Sequence, residues 1–296
     1  MKKKYIIIII LIAIFLAVII IGNLNKTKNK SNNNYKVLTS FYPLYIMTLN
    51  ITNGAQNVEV GNMADKITGC IHDYTLSTAD LKKFENTNIF IQNGAGLESF
   101  SQKVIDAYPN VKIVNCADSI SNFIEDEDGD KNGHVWLGLD NYESEVKEIA
   151  SELSENNASN ASIYEANARA YIQKVDEIKT KFNSISNLNG KNAICLNESL
   201  EYLLNDLKIN TTMIETDHEQ NSLSAEKVKN IISDMKKSNS KMIFIDKNDD
   251  SKTADTIAKE TGATVYVLDS EMTGEKNLDA YINAMNYNYE VLSKIQ

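Results

Sequence analysis

Between Ala161 and Ile185 the chain runs "ASIYEANARAYIQKVDEIKTKFNSI" with no proline or glycine. Tyr164, Ala168, Tyr171, Val175, Ile178 and Phe182 recur at three- and four-residue steps. That spacing places them on one face of a single amphipathic helix of roughly 40 Å, at about 1.5 Å rise per residue. The segment lies at mid-chain and ends in the polar "SNLNGKN", so it suits a connector between two lobes. The rest of the globular sequence has to be divided around it.

On both sides the chain alternates short strands with helices of about ten residues, the rhythm of βα units and a mostly parallel sheet. Before the long helix, "KVLTSFYPL", "NVEVGNM", "NIFIQNGAG" and "NVKIVNC" read as strands, with helices between them and another from Asp140 to about Leu153. After it, "NAICLNE", "NTTMIET", "SKMIFIDK" and "ATVYVLDS" read as strands, and Gly262 ends one of the intervening helices. The expected fold is α/β: two α/β lobes with mostly parallel sheets, bridged by one long rigid helix, with a cleft between them.

The N-terminus is a separate matter. "MKKK" precedes an uncharged apolar run, Tyr5–Ile21, the layout of a signal sequence or membrane anchor. The run is near the lower limit of about 17 residues for a spanning helix, and no A-x-A-like cleavage site follows it. Asn23 stands where the lipidated Cys of a bacterial lipoprotein would be. The expectation is a membrane anchor over residues 1–22, with the remainder outside the cell; the alternative is cleavage and secretion. Residues 23–34 are polar with no apolar face and read as a tether. The expected divisions that follow are 35–158 for the first lobe, 159–187 for the linking helix and 188–296 for the second lobe.

The formal charge of −10 argues against nucleic-acid binding, which wants a basic face, and suits a cation ligand. The three cysteines, Cys70, Cys116 and Cys195, match no CxxC metal or redox spacing and read as small buried residues. There is no G-x-S-x-G, no cysteine paired with a nearby histidine, and "NGAGLE" lacks the GK[ST] of a phosphate loop, so no catalytic machinery stands out.

The candidate chemistry lies with the histidines, of which the chain has three. His72 follows a strand and a loop and precedes a helix, where an open α/β sheet directs side chains into its cleft. Asp73 beside it is a candidate to orient the imidazole. His134 follows "EDEDGDKNG", whose Asp128, Asp130, Asn132 and Gly133 imitate a calcium loop. The twelfth position, however, is Leu139 rather than a bidentate Glu, so Glu125–Asp130 reads as a solvated acidic loop. Two histidines on loops of one lobe can converge on one transition-metal ion. His218 sits among polar residues and reads as exposed loop. Asp246, Asp249 and Asp250 follow a strand, and Asp269 ends the last one, where a cleft ligand would be placed.

In that order, "VLTSFYPLY", "HDYTLSTADLKKFENTNIFIQNGAGLESF", "HVWLGLDN", "YEANARAYIQKVDEI" and "IFIDKNDDSKTADTIAKETGATVYVLD" resemble the metal-binding solute-binding proteins of bacterial zinc and manganese ABC importers, a group that includes lipoproteins once named as adhesins. The resemblance runs from about Lys36 to the C-terminus. It implies one divalent ion, Zn²⁺ or Mn²⁺, carried as transported ligand between two lobes, with an ABC permease and its ATPase as partners and no enzymatic reaction. Position by position it implies His72 and His134 as ligands, Asn197 at the third position with Glu198 adjacent as the alternative, and Asp269 as the fourth. An amide oxygen at Asn197 would lean the site toward a harder ion such as manganese, while Glu198 or water could complete a tetrahedral zinc shell. The sequence departs from the family pattern at Asn197, at Ile71 in place of a proline, and at the absent lipid-bearing Cys. Those departures motivate a second expectation, a cell-surface adhesion protein with a degenerate metal site. A metal-dependent hydrolase with Glu198 as general base is a third.

Overall fold

The computed structural model describes residues 34–65, 71–125, 129–214 and 223–296. The proposed anchor, all but the last residue of the tether, Cys70, residues 126–128 of the acidic loop and His218 lie outside the described residues, as does the side chain of Asp73. No helix among the described residues is long and apolar enough to cross a membrane. Lys36–Gln296 form a compact unit of their own.

Two four-stranded sheets make the framework. The first has the order β2-β1-β3-β4, from strands Tyr35–Thr39 (β1), Val58–Asn62 (β2), Ile89–Gln92 (β3) and Lys112–Asn115 (β4). The second has the order β6-β5-β7-β8, from Asn192–Cys195 (β5), Asn210–Met213 (β6), Met242–Asp246 (β7) and Thr264–Leu268 (β8). The pairs β1–β3, β3–β4, β5–β6, β5–β7 and β7–β8 are all parallel. β3 and β7 are central and buried along their whole lengths, which is why "IFIQ" and "MIFID" read as unbroken apolar runs rather than alternating ones. The expected α/β class with parallel sheets is therefore the observed one.

Helices cover these sheets. The first half carries α1 (Tyr42–Thr52), α2 (Thr78–Lys83), α3 (Ser101–Ala107) and α4 (Leu139–Asn156). The long helix α5 (Ala161–Asn183) follows. The second half carries α6 (Glu201–Asp206), α7 (Ala225–Ser238), α8 (Lys252–Thr261) and α9 (Ala280–Leu292). Local chemistry sets several ends. Ser77 and Asp80 form a reciprocal capping box at the start of α2. Ser224 caps α7 through the Lys227 amide. Gly262, at φ 65°, closes α8 in the left-handed conformation that only glycine adopts cheaply.

The six residues that mark the apolar face of α5 are the six it buries. They pack against α1, α4 and α9, so the helix touches elements from both halves. Aromatic contacts tie the same layer. Tyr142 of α4 stacks on Tyr281 of α9 at 3.5 Å between ring centroids, and its hydroxyl meets that of Tyr171 of α5 at 2.8 Å. Cys116 and Cys195 are free and buried.

Glu145 sits in α4 with no exposed surface, and neither carboxylate oxygen has a hydrogen-bond partner among the described residues. Burial pushes its carboxyl well above the ordinary range, and the charge of Glu98 adds to this. A carboxyl raised on folding contributes stability that is fully present below its unfolded pKa and is lost as pH rises through the elevated value. Glu145→Gln, which keeps the shape, should therefore raise the melting temperature by about 3 °C at pH 8. Scanning calorimetry should find that the gain vanishes near pH 4; a gain independent of pH would contradict the assignment.

Candidate metal centre

Three short 3-10 turns face one another. Ile71–Asp73 carries His72, Val135–Leu137 begins just after His134, and Glu198–Leu200 opens with Glu198. One donor atom from each of His72, His134 and Glu198 falls within 4.8 Å of the other two. Glu198 Oε1 lies 3.8 Å from His72 Nδ1 and 3.7 Å from His134 Nε2, and the imidazole centroids are 5.2 Å apart. Donors bound tetrahedrally at about 2.0–2.1 Å sit roughly 3.4 Å apart, so a small contraction would bring these three onto one ion. Two of the donors come from the first half and one from the turn after β5, so the cluster spans both sheets.

Asn132 sets the state of His134. Its side-chain oxygen accepts the His134 backbone N–H at 2.8 Å, which identifies that atom as the acceptor. The same oxygen lies 2.8 Å from His134 Nδ1. Nδ1 is therefore a protonated nitrogen, and in the neutral imidazole the lone pair is on Nε2, 3.7 Å from Glu198 Oε1. The amide nitrogen of Asn132 donates to the main-chain oxygen of Glu198 at 3.1 Å and to Glu201 Oε2 at 2.7 Å. Tyr202 Oη donates to the Asn132 carbonyl at 2.8 Å. One residue thus orients a donor from the first half and grips the turn that supplies the donor from the second. Sequence reasoning placed Asn132 only in the imitation calcium loop. The signal that could have found it is an Asn two residues before a candidate ligand, the spacing of an Asx turn.

The glycine loop supports the same turn. Asn93 Nδ2 donates to the Gly133 carbonyl at 2.9 Å. The loop itself is held by buried Glu98, which accepts from the Asn93 and Gly94 amides and the Ser40 hydroxyl. A Cβ on Gly133 would come within 2.8 Å of Leu97 and 3.0 Å of the Ala95 carbonyl, so the His134 turn needs glycine to approach this closely. "NGAGLE" is therefore a buttress, not a phosphate cradle. Trp136 is fully buried, packs 5.3 Å from the His134 ring, and donates Nε1–H to the Ser270 carbonyl at 2.8 Å.

Asp269 does not join that group of donors, and the side chain of Asn197 is engaged elsewhere. Asn197 takes the N-cap position before the Glu198 turn. Its oxygen accepts from the Ser199 amide and hydroxyl, and its nitrogen donates to both oxygens of Asp249 at 3.1 and 3.2 Å. With both ends engaged, Asn197 holds the turn, and Glu198, the next residue, projects toward the histidines. Asp269 Oδ2 pairs with Lys247 Nζ at 2.7 Å and its Oδ1 accepts the Glu271 amide. Asp246 and Asp249 are occupied with loop amides, and Asp250 with Lys252.

The fold is one of two parallel α/β sheets, and the cluster is a candidate metal site. The chain belongs to the family described as the zinc-uptake complex component A, periplasmic (ZnuA), which it matches over residues 37–295. Among relatives, the zinc-binding protein AdcA of Streptococcus pyogenes serotype M3 is 27% identical over 288 residues, covering 87% of this chain. This chain spans 55% of that relative's length. The metal ABC transporter substrate-binding lipoprotein ScbA of Streptococcus cristatus is 25% identical, covering 75% of this chain and 77% of its own. The solute-binding protein FpvC of Pseudomonas aeruginosa, solved with Ni²⁺, shares the fold with a TM-score of 0.78 at 21% identity, covering 88% of this chain and 96% of its own.

Partners that orient a ligating histidine are commonly worth about 10–100-fold in metal affinity. Asn132→Ala should weaken binding of added Zn²⁺ by that order in calorimetric titration while leaving the far-ultraviolet circular dichroism unchanged. Wild-type affinity in this variant would show that the tautomer is set elsewhere.

Proposed function

We propose that the chain is the extracytoplasmic substrate-binding component of an ABC importer, which captures a divalent transition metal, zinc or manganese, and delivers it to a permease driven by an ATPase. The observation that carries this reading is the convergence of His72, His134 and Glu198 from both halves of the fold, with His134 Nδ1 engaged by Asn132 and Nε2 left toward Glu198. In this reading His72, His134 and Glu198 are ligands, Asp269 is the fourth, and Asn197 is a support. Residues 1–22 anchor the chain to the membrane, 23–34 tether it, and 35–158 and 188–296 are lobes joined by 159–187. The protein performs capture and release without a chemical reaction.

Family membership and the converging donors support transport over adhesion. The departure at Asn197, which motivated the adhesion reading, is met by a carboxylate one residue later. Two imidazoles with two carboxylates suit either zinc or manganese.

His72→Ala, His134→Ala and Glu198→Ala should each lower Zn²⁺ or Mn²⁺ affinity by more than about 100-fold, beyond what loss of an orienting partner costs. Asn197→Ala should cost clearly less. Titration calorimetry on the four variants, with elemental analysis of the wild-type protein as purified, tests this. Unchanged binding in both histidine variants would sink the proposal.

A further inference from the structure

Lys247 and Asp269 meet because of sheet register. In the parallel β7–β8 pair Asp246 lies opposite Leu268, so the residues just beyond the strand ends, Lys247 and Asp269, fall beside each other at the carboxyl edge of the sheet. The Lys247 backbone N–H donates to the Leu268 carbonyl at 2.8 Å, which fixes the base of the lysine. Asn288 fixes the backbone of Asp269 on both sides: its Oδ1 accepts the Asp269 N–H at 2.7 Å and its Nδ2 donates to the Asp269 carbonyl at 2.9 Å. Of the carboxylate, Oδ1 accepts the Glu271 backbone N–H at 2.9 Å. Oδ2 is taken by the Lys247 ammonium at 2.7 Å.

The position is linked to the donor cluster through the next residue. Ser270, the following residue, is tied through its carbonyl to Trp136, whose ring lies 5.3 Å from that of His134. Lys247 and Asp269 also border a cavity of about 370 Å³, shared with Tyr42, Glu271, Gly274 and Tyr287. Glu271 and Glu275 also border this cavity; Glu271 is fully buried with both carboxylate oxygens unpartnered among the described residues. Among the described residues, the salt bridge of Lys247 is to Asp269.

We propose that Lys247 is a positioning residue that competes with the metal for Asp269: its ammonium holds one carboxylate oxygen, and an ion recruits Asp269 only by displacing it. This deepens the reading of Asp269 as the fourth ligand and rests on it. The lysine sets how much of the carboxylate's attraction for a cation is realised as affinity, because part of it is offset by the ion pair that must break. The Lys247 side chain is 38% exposed, so the pair is partly screened and the effect is moderate, about fivefold in affinity.

The test is a double-mutant cycle on the full chain, titrated calorimetrically with Mn²⁺ and Zn²⁺. Lys247→Met should tighten binding about fivefold, Lys247→Arg should leave it near wild type, and Asp269→Asn should weaken it. The double variant Lys247→Met/Asp269→Asn should bind like Asp269→Asn alone, because the lysine acts only through that carboxylate. If Asp269→Asn weakens binding but Lys247→Met does not tighten it, the competition is overturned while Asp269 stands as a ligand. If Asp269→Asn has no effect, the fourth-ligand reading fails and this proposal falls with it. Tightening by Lys247→Met that persists in the double variant would assign the lysine a general electrostatic effect and overturn the specific one.

Discussion

The structure of the site depends on the side-chain amide of Asn132. Its oxygen takes two N–H groups of His134, one from the backbone and one from the ring, and its nitrogen holds the turn that carries Glu198. An amide is suited to this because it presents an acceptor and two donors in one plane. A carboxylate in its place would satisfy the histidine but lose the grip on the second half; an ammonium would do the reverse. Tyr202, in α6, fastens the backbone of Asn132 in turn, so the orientation of a ligand and the junction of the two halves are secured by the same few contacts.

Around that amide the polar groups of the interior are spent on posture. Glu98 closes the glycine loop that Gly133 leans on, Asn197 caps the turn that projects Glu198, and Trp136 links the His134 turn to the segment after β8. A buried donor or acceptor left unpaired is costly, so each of these contacts resists a shift of the donor it supports. Glu145 and Glu271 are among the exceptions, carboxyls that burial raises and whose oxygens all lack partners among the described residues.

Most of the framework was legible because it is periodic. The long helix announced its buried face residue by residue, and the central strands announced burial on both sides through unbroken apolar runs. His72 and His134 were legible because histidine is scarce here and both follow strands. The choice between Asn197 and Glu198 was not. It turns on an N-cap, where one residue's side chain folds back onto the backbone and the next points away, and 3-10 turns of three or four residues are too short to show a period. Asp269 was identifiable as a residue at a strand end, but its pairing with Lys247 depends on which strands are neighbours, which no local pattern encodes.

The donors differ in their access to solvent: the side chains of His72 and Glu198 are each 37% exposed, whereas that of His134 is 2% exposed. On the proposed function, a hydrated ion approaching this cluster would meet the two open donors while it still carried most of its water, and would reach the sheltered nitrogen last. Dehydration would then be divided into successive exchanges. On the way out the order would reverse, so the contacts of Asn132 that steady the His134 imidazole would bear on residence time as well as on affinity.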